Sequence, residues 1–420
     1  MLQIKRLKPK YKIFSAILLG FLLYGIKAFA EILFHPLQGT LALIGLLLIF
    51  GSPFAFRAMK NNPLHGNTRT VYYLFLIWIL FIILRPLFLG QSYSEDTLHP
   101  YAVYGLLSYL LPLIVLLGTR LISIPKIFQI VFIFSIIGLF YFILNFRNMQ
   151  QIVMSGVFNS EDGKIGINNL ANNYYYWFNI SALSLLCYEF IPQKYKLMAI
   201  LTTIFLLVLM LYFARRGGVF MILLYFIGMF YLYVFQTSKG SKPLKFFFVI
   251  SVFVTGWIVV MMNSNNIFSL FFDRMSGFNL NDNSRTGVEM AAVNFITKQK
   301  IWLIGGGIEA RYWAPGFDAP RYGVETGYMN MILKGGIVYL ALYVYLLLHA
   351  AYRGWFKSNN NLMKAFSLYI VFHVIFLIPY GIQSFDLEYL FLWITVAFTE
   401  SVFWRNMTNK QVKDYLKLTA

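Results

Sequence analysis

Arginine side chains are the groups whose placement most strongly predicts chemistry in this sequence of 420 residues. They form two groups, which are Arg215 and Arg216 in one, and Arg274, Arg285, Arg311 and Arg321 in the other. A guanidinium group presents a planar fork of donors that matches the oxygens of a phosphate. Gly217 and Gly218 follow the first pair directly and would let a ligand approach the backbone closely. The pattern therefore predicts a site for a phosphate-type anion.

Each arginine taken singly also has a simpler interpretation, which is contact with a lipid headgroup or an ion pair with a neighbouring carboxylate. The carboxylates available for such pairs are Glu289, Glu309 and Asp318. Arg285 and Glu289, for example, are four residues apart, which is the spacing of a pair on one helix face. For the arginines as a collection, we favour an anion site.

Metal and nucleotide chemistry have little support in the sequence. The five histidines are scattered without metal-ligand spacing, and the single cysteine, Cys187, lies in an apolar run. The sequence has no glycine-rich phosphate loop of the nucleotide-hydrolase type, so we do not expect direct use of ATP. We therefore expect neither a metal nor a cofactor.

The composition of the chain is that of a membrane protein. Hydrophobic residues make up 59% of the chain and charged residues 12%, whereas soluble domains have about 25% charged residues. This balance excludes a soluble globular enzyme, a disordered chain and a disulfide scaffold. We predict an all-α polytopic protein whose residues 1–420 form one transmembrane domain of about twelve helices. The predicted spans are 13–34, 37–56, 70–89, 101–118, 127–146, 169–190, 197–214, 217–235, 246–263, 327–349, 362–380 and 385–404.

The distribution of positive charge predicts the orientation of the spans. With the N-terminus in the cytoplasm, cytoplasmic segments carry 22 of the 35 lysines and arginines, and the opposite face carries eleven. Twelve spans return the C-terminus to the cytoplasm. The net charge of +19 is explained by this asymmetry, so we expect no nucleic-acid partner.

Two predicted outer loops are longer than the other connections. The smaller covers 147–168, and the larger covers 264–326 and contains four of the arginines. A loop of that length needs structure of its own or a function. Apolar residues at helical spacing predict a short amphipathic helix within it, with Asn283 or Ser284 as its N-cap. These apolar residues are Val288, Ala291, Ala292, Phe295 and Ile296.

The order of these features resembles the superfamily of O-antigen polymerases and O-antigen ligases. The matching residues are Arg216-Gly217, Arg285, Gly305, Gly307, the run Glu325-Thr326-Gly327-Tyr328 leading to Gly336, and the asparagine-rich run from Asn168 to Asn173. The ligase branch has a histidine, thought to be the base, at the position of Glu325. The larger loop contains no histidine, and this departure favours the polymerase branch.

The resemblance implies a metal-independent, inverting glycosyl transfer between lipid-linked repeat units of a surface polysaccharide such as O antigen or capsule. Donor and acceptor would both carry undecaprenyl pyrophosphate. The implied catalytic residues are Glu325, as base, and Arg285, and the implied substrate-binding residues are Arg215, Arg216, Arg311, Arg321, Tyr328 and Asn173. Tyr328, one turn after Glu325, is expected to lie on the same helix face and could share a contact with the substrate. A simpler interpretation stays open for Glu325, which could cap the tenth span or pair with Arg321.

The resemblance also implies a location and partners. The protein would lie in the bacterial inner membrane, among membrane lipids, with its active site on the periplasmic side. A chain-length regulator and a flippase would be its protein partners. Two alternatives remain, which are a ligase that transfers the glycan to lipid A core, and a flippase or transporter of the same glycan. A transporter would be expected to have a midplane site formed by broken helices.

Overall fold

The computed structural model describes much of the chain, with several gaps. The described residues are 14–23, 44, 63–94, 97, 105–119, 122–155, 178, 180–213, 216–236, 284–317, 319–378 and 384–416. The predicted span 246–263, all of span 37–56 except Ile44, and most of the smaller loop lie outside these residues.

The described chain is helical. In order, the helices are α1 (Phe14–Leu23), α2 (Asn67–Phe88), α3 (Leu106–Leu110), α4 (Ile124–Ser155), α5 (180–186), α6 (Gln193–Tyr212), α7 (Arg216–Gln236), α8 (Ser284–Lys298), α9 (Gly327–Phe356), α10 (Asn361–Phe376), α11 (Leu387–Glu400), α12 (Val402–Arg405) and α13 (Asn409–Tyr415). Tighter 3-10 turns cover Leu111–Leu117 and Tyr188–Phe190. Among the described residues, β pairing is limited to one antiparallel bridge between Tyr312 and Arg321.

Four of these helices are long and apolar enough to cross a membrane, which gives the chain the character of an α-helical membrane protein. They are α2, the part of α4 from Ile124 to Arg147, α6 and α9. Shorter apolar helices include α1 and α10. The total of about twelve spans remains a prediction, because several predicted spans fall wholly or partly outside the described residues.

Several helix boundaries differ from the sequence-based expectation. Helix α9 continues to Phe356, seven residues beyond the predicted end of the tenth span. Helix α4 continues to Ser155, into the segment 147–168 that was expected to be a loop. Neither glycine nor proline occurs between Arg147 and Ser155, so nothing in that stretch ends the helix. The last predicted span, 385–404, is divided between α11 and α12, because the backbone of Ser401 is extended.

Helix α9 is the centre of the described bundle. It packs on α2, α10 and α11, while α10 also packs on α7 and α11. Aromatic side chains fill the contact between α2, α9 and α11. The Phe75 ring lies 5.5 Å from that of Tyr339, nearly parallel to it, and 5.4 Å from that of Trp393. These rings are buried and hold the three helices together.

A buried ion pair joins the same three helices at one end of the bundle. The Glu400 carboxylate is fully buried and accepts a hydrogen bond of 2.7 Å from the Arg353 guanidinium. The Nδ1 atom of His349 lies 3.0 Å from the Glu400 carboxylate and 3.2 Å from the Thr68 hydroxyl. Thr68 and His349 therefore mark the same level on α2 and α9.

We predict that Arg353→Gln destabilises the protein strongly, because it removes the guanidinium that pairs with the buried Glu400 charge and leaves only His349 beside it. Removing one partner of a buried pair costs about 3–5 kcal/mol, whereas replacing both by apolar residues is often neutral. The double variant Arg353→Leu with Glu400→Leu should therefore lose less stability than Arg353→Gln. The thermal unfolding midpoint in detergent measures both effects. Lys357→Gln, at an exposed residue one turn away, serves as the control, and an equal loss in that variant would contradict the prediction.

Candidate functional site

The candidate site is built on a break in α9. At Gly336 the backbone has φ 74° and ψ −179°, so the helix is interrupted about two turns after its start. Residues 302–307 run alongside the break and exchange backbone hydrogen bonds with it. These bonds run from Gly306 N to Leu333 O (2.8 Å), from Gly307 N to Lys334 O (2.9 Å) and from Ile337 N to Trp302 O (2.8 Å). The Trp78 indole donates to the carbonyl of Gly335 at 2.7 Å. Residues 302–307 of the larger loop are thereby fixed to the broken helix.

Two glycines make this contact possible. A Cβ atom on Gly336 would lie 2.1 Å from the Leu303 carbonyl oxygen, and one on Gly305 would lie 2.4 Å from that of Lys334. Both residues also have positive φ, at 74° and 69°, which L side chains rarely adopt. Two glycines on which the family resemblance rests are thus required by the backbone geometry.

Lys334 secures the next part of the loop. Its side chain is fully buried, and its ammonium group donates to the carbonyls of Ile308 at 2.7 Å and Ala310 at 2.9 Å. The same group lies 3.7 Å from the centre of the Tyr322 ring. A buried lysine is tolerated only when its donors are satisfied, and these contacts satisfy them. Lys334 therefore fixes the segment that precedes Arg311.

Arg311 is held at the edge of this segment by a carboxylate and an aromatic ring. Its guanidinium lies 3.7 Å from the Glu309 carboxylate and 5.3 Å from the centre of the Tyr322 ring. Glu309 in turn accepts hydrogen bonds from the backbone N–H and the hydroxyl of Ser94. The Tyr322 hydroxyl is 2.5 Å from that of Thr97. Pairing of Arg311 with Glu309 is the simpler alternative that the sequence left open.

Arg321 and Glu325 form a second, more exposed pair. Their charged atoms are 3.7 Å apart, and the Arg321 guanidinium also lies 4.3 Å from the centre of the Phe317 ring. The backbone of Arg321 exchanges two hydrogen bonds with that of Tyr312, at 2.8 and 3.1 Å. The ion pair with Arg321 that we considered for Glu325 is therefore present, and a side chain 38% exposed remains open to a ligand.

The position of Glu325 differs from our expectation in one respect. Helix α9 begins at Gly327, so Glu325 precedes the helix and cannot share a helix face with Tyr328. The N-cap residue is Thr326, whose side chain makes no capping hydrogen bond within the described residues. Tyr328 lies in the first turn and packs against the small core beneath the loop. Glu325 and Tyr328 are close in sequence, but the shared-face argument was wrong.

The pKa of the Tyr312 hydroxyl responds to burial and to the charged residues near the second pair. Burial raises the pKa of its hydroxyl to about 12, the carboxylates of Glu325 and Glu289 act in the same direction, and Arg321 opposes them. The phenol is therefore neutral near pH 7 and cannot act as a base. Val288 and Ala292 of α8 belong to the same small buried core as Tyr312, so that helix lies next to the strand-like segment that contains Tyr312 and Arg321.

The remaining predicted residues are placed only in part. Arg285 lies in the first turn of α8, and Arg216 is the first residue of α7, but the structure describes neither side chain. Arg215 and Asn173 lie outside the described residues. Helix α8 packs on α9 through a small apolar core, which includes Val288, Ala292, Ile296, Met329 and Ile332. The structure thus brings α8, Arg311, Arg321 and Glu325 to one end of α9.

Sequence reasoning assigned no role to Lys334 or Tyr322. The available signal was a lysine in an apolar run directly before Gly335 and Gly336, where an intramembrane charge is costly. Within the described residues, no three His, Cys, Asp or Glu side chains are grouped so that they could hold a metal ion. Comparisons with known protein families, curated proteins and solved structures find no match to this chain.

We predict that Gly336→Ala releases the loop from α9, because the new Cβ would overlap the Leu303 carbonyl. The backbone conformation of Gly336 is also one that only glycine readily adopts, and it alone costs an L residue about 1–3 kcal/mol. Trypsin should therefore cut faster at Lys298 and Lys300, and the unfolding midpoint should fall. The matched control is Gly287→Ala, since Gly287 lies in α8 with open space around it. That control should be neutral or slightly stabilising, and equal proteolysis of the two variants would contradict the role of the break.

Proposed function

We propose that this protein is a polymerase of undecaprenyl-pyrophosphate-linked oligosaccharide repeat units, acting at the outer face of the bacterial inner membrane. One observation carries the proposal. Arg311, Arg321 and Glu325 lie together on a segment that is fixed to one end of the long apolar helix α9. A substrate with an anionic headgroup and a hydrocarbon tail matches cations and a carboxylate placed beside an apolar helix bundle.

The proposed orientation rests on the two ends of the described bundle. The segment with Arg311, Arg321 and Glu325 lies at the end where α9 and α11 begin. Basic residues are concentrated at the opposite end, where α9 and α11 finish, and they include Arg353, Lys357, Arg405, Lys410 and Lys413. By the positive-inside rule that basic end belongs in the cytoplasm, and the termini would lie there too.

The proposed reaction is a direct displacement at the anomeric carbon of the donor glycan. The acceptor hydroxyl oxygen forms the new glycosidic bond, and the bond from the anomeric carbon to the pyrophosphate oxygen breaks. Glu325 takes the hydroxyl proton, and the electron pair leaves with undecaprenyl pyrophosphate. Guanidinium groups of Arg285, Arg216, Arg311 and Arg321 would stabilise the negative charge that develops on that leaving group. A single displacement inverts the anomeric centre.

The loose geometry of the two ion pairs is suited to this chemistry. Strong charge-assisted hydrogen bonds between arginine and carboxylate measure about 2.7–2.9 Å, whereas both pairs here are at 3.7 Å. Partly exposed pairs of this kind contribute about 0–1 kcal/mol. A pyrophosphate can therefore replace a carboxylate as the partner of Arg321 at small cost, and Glu325 would then be released to accept a proton.

The alternatives have less support. A ligase of this superfamily is expected to have histidine where this chain has Glu325. A transporter would use a broken helix to bind its substrate or coupling ion, and α9 is indeed broken at Gly336. However, the carbonyls of Leu333, Lys334 and Gly335 at that break already accept hydrogen bonds from the protein. The break therefore serves to attach the loop.

We predict that deletion of the gene shortens the surface polysaccharide to a single repeat unit, because repeat units still reach the surface but are not joined. Gel electrophoresis of the isolated polysaccharide measures the chain length. Complementation with the native gene should restore long chains. Complementation with Arg285→Lys should restore few, since lysine cannot bind phosphate through two parallel hydrogen bonds. Free lipid-linked polymer would indicate a ligase, and accumulation of lipid-linked repeat units in the cytoplasm would indicate a flippase.

We predict that Glu325→Gln abolishes polymerisation while the protein still accumulates, because glutamine keeps the size of the side chain but cannot accept the proton. The same complementation assay measures polymer, and an immunoblot of membranes measures protein. Glu289→Gln is the matched control, since Glu289 lies beside the same tyrosine but has no assigned proton transfer. Near-normal chain length with Glu325→Gln would remove Glu325 from the mechanism and leave it as the ion-pair partner of Arg321.

A further inference from the structure

Residues 301–308 expose apolar side chains at a place where water would be expected if the whole larger loop were outside the membrane. Leu303 is 65% exposed and Ile304 is 40% exposed. Both lie directly beside the break in α9, since the carbonyl of Leu303 accepts from the N–H of Val338 at 3.3 Å. Ile337, next to the break, is 44% exposed as well. We infer that residues 301–308 re-enter the membrane and that acyl chains of the outer leaflet cover Leu303 and Ile304.

The level of this segment along two helices supports the inference. Thr68 on α2 and His349 on α9 mark one level near the basic end, where Arg69 and Arg353 belong at a membrane boundary. Fourteen residues separate Thr68 from Ile82 on α2, and the same number separates His349 from Gly335 on α9. Each stretch rises about 21 Å, whereas the hydrocarbon core is about 30 Å thick. Ile82 and Gly335 therefore lie roughly 9 Å inside the far boundary if Thr68 and His349 mark the near one, and roughly 3 Å inside it if Arg353, one turn further on, does.

Residues 301–308 are attached at this same depth on both helices. The N–H of Ile308 donates to the carbonyl of Ile82 at 3.0 Å, and the N–H of Gly306 donates to that of Leu333 at 2.8 Å. Non-helical backbone is tolerated inside a membrane only when its polar groups are satisfied by the protein. Here the N–H groups of residues 305–308 all donate to backbone carbonyls, at 2.8–3.0 Å. The carbonyls of Ile301, Trp302 and Leu303 also accept backbone hydrogen bonds. Most of the backbone of the segment is therefore paired within the protein, and its exposed side chains at 303 and 304 are apolar, as contact with hydrocarbon requires.

Another part of the same loop has an equally exposed residue in a different setting. Trp313 is 65% exposed, the same fraction as Leu303. It follows Tyr312, which pairs with Arg321 near the charged group of Glu325 and the start of α9. We therefore expect Trp313 to meet water or lipid headgroups. Because Leu303 and Trp313 are equally exposed but are expected to face hydrocarbon and water respectively, Trp313 is the control for Leu303.

The experiment uses single nitroxide spin labels on the full-length protein. Labels are attached at Leu303→Cys, Ile304→Cys and Trp313→Cys in a Cys187→Ala background, and each protein is reconstituted in vesicles of phosphatidylcholine and phosphatidylglycerol. Electron paramagnetic resonance then measures collisions of each label with oxygen, which concentrates in hydrocarbon, and with a water-soluble nickel chelate. The vesicles contain no polyprenyl lipid, so the result does not depend on the proposed polymerase activity.

We expect the ratio of oxygen to nickel accessibility to be several-fold higher at positions 303 and 304 than at position 313. Agreement between 303 and 304 guards against a local disturbance by one label. High nickel accessibility at all three positions would overturn the inference, because the segment would then lie at the aqueous surface. Low accessibility to both reagents at 303 and 304 would also overturn it, because another part of the protein would then cover the segment.

Discussion

A helix inside a membrane cannot leave its backbone groups unpaired. The arrangement of the candidate site around α9 depends on this constraint. Where α9 breaks at Gly336, the carbonyls before the break and the N–H groups after it need partners. Residues 302–307 provide most of them. Because residues 302–307 pair with the broken helix, the next residues of the loop reach Lys334, whose ammonium group binds their carbonyls, and Arg311 follows directly.

The ion pairs at the two ends of the bundle differ in burial and in distance, and each kind fits the proposed role of its end. At the basic end, Glu400 is fully buried and tightly paired with Arg353 at 2.7 Å, so the helices are locked together there. At the other end the arginines meet Glu309 and Glu325 at 3.7 Å, and three of these four side chains are partly exposed. A tight buried pair is costly to break and so fixes how the helices are arranged, whereas loose pairs leave arginines able to exchange a carboxylate for a phosphate.

Much of the helical framework could be predicted, because long apolar runs have few alternatives in a membrane protein. The predicted spans 70–89, 197–214 and 217–235 agree with α2, α6 and α7 to within a few residues. Boundaries were less predictable where no breaker residue was present, as in α4, or where an extended Ser401 interrupts an apolar run. In the site, the arginines, Glu325 and the glycines were recognisable as a pattern. Glu309 and Arg321 were recognisable as possible ion-pair partners, but the sequence could not choose among the possible pairs.

The sequence by itself determined the class of the protein, the apolar helices and the concentration of arginines in one long loop, because composition and periodicity are local properties. Only the tertiary structure decided that Arg311 meets Glu309, that Glu325 precedes α9 and meets Arg321, and that Lys334 is buried against the loop. The reason is that Gly336 permits the break, whereas the packing of the folded chain determines which segment bonds to the backbone exposed there. Residues 302–307, about 30 positions earlier in the chain, reach it only because Gly305 removes the side chain that would block the approach.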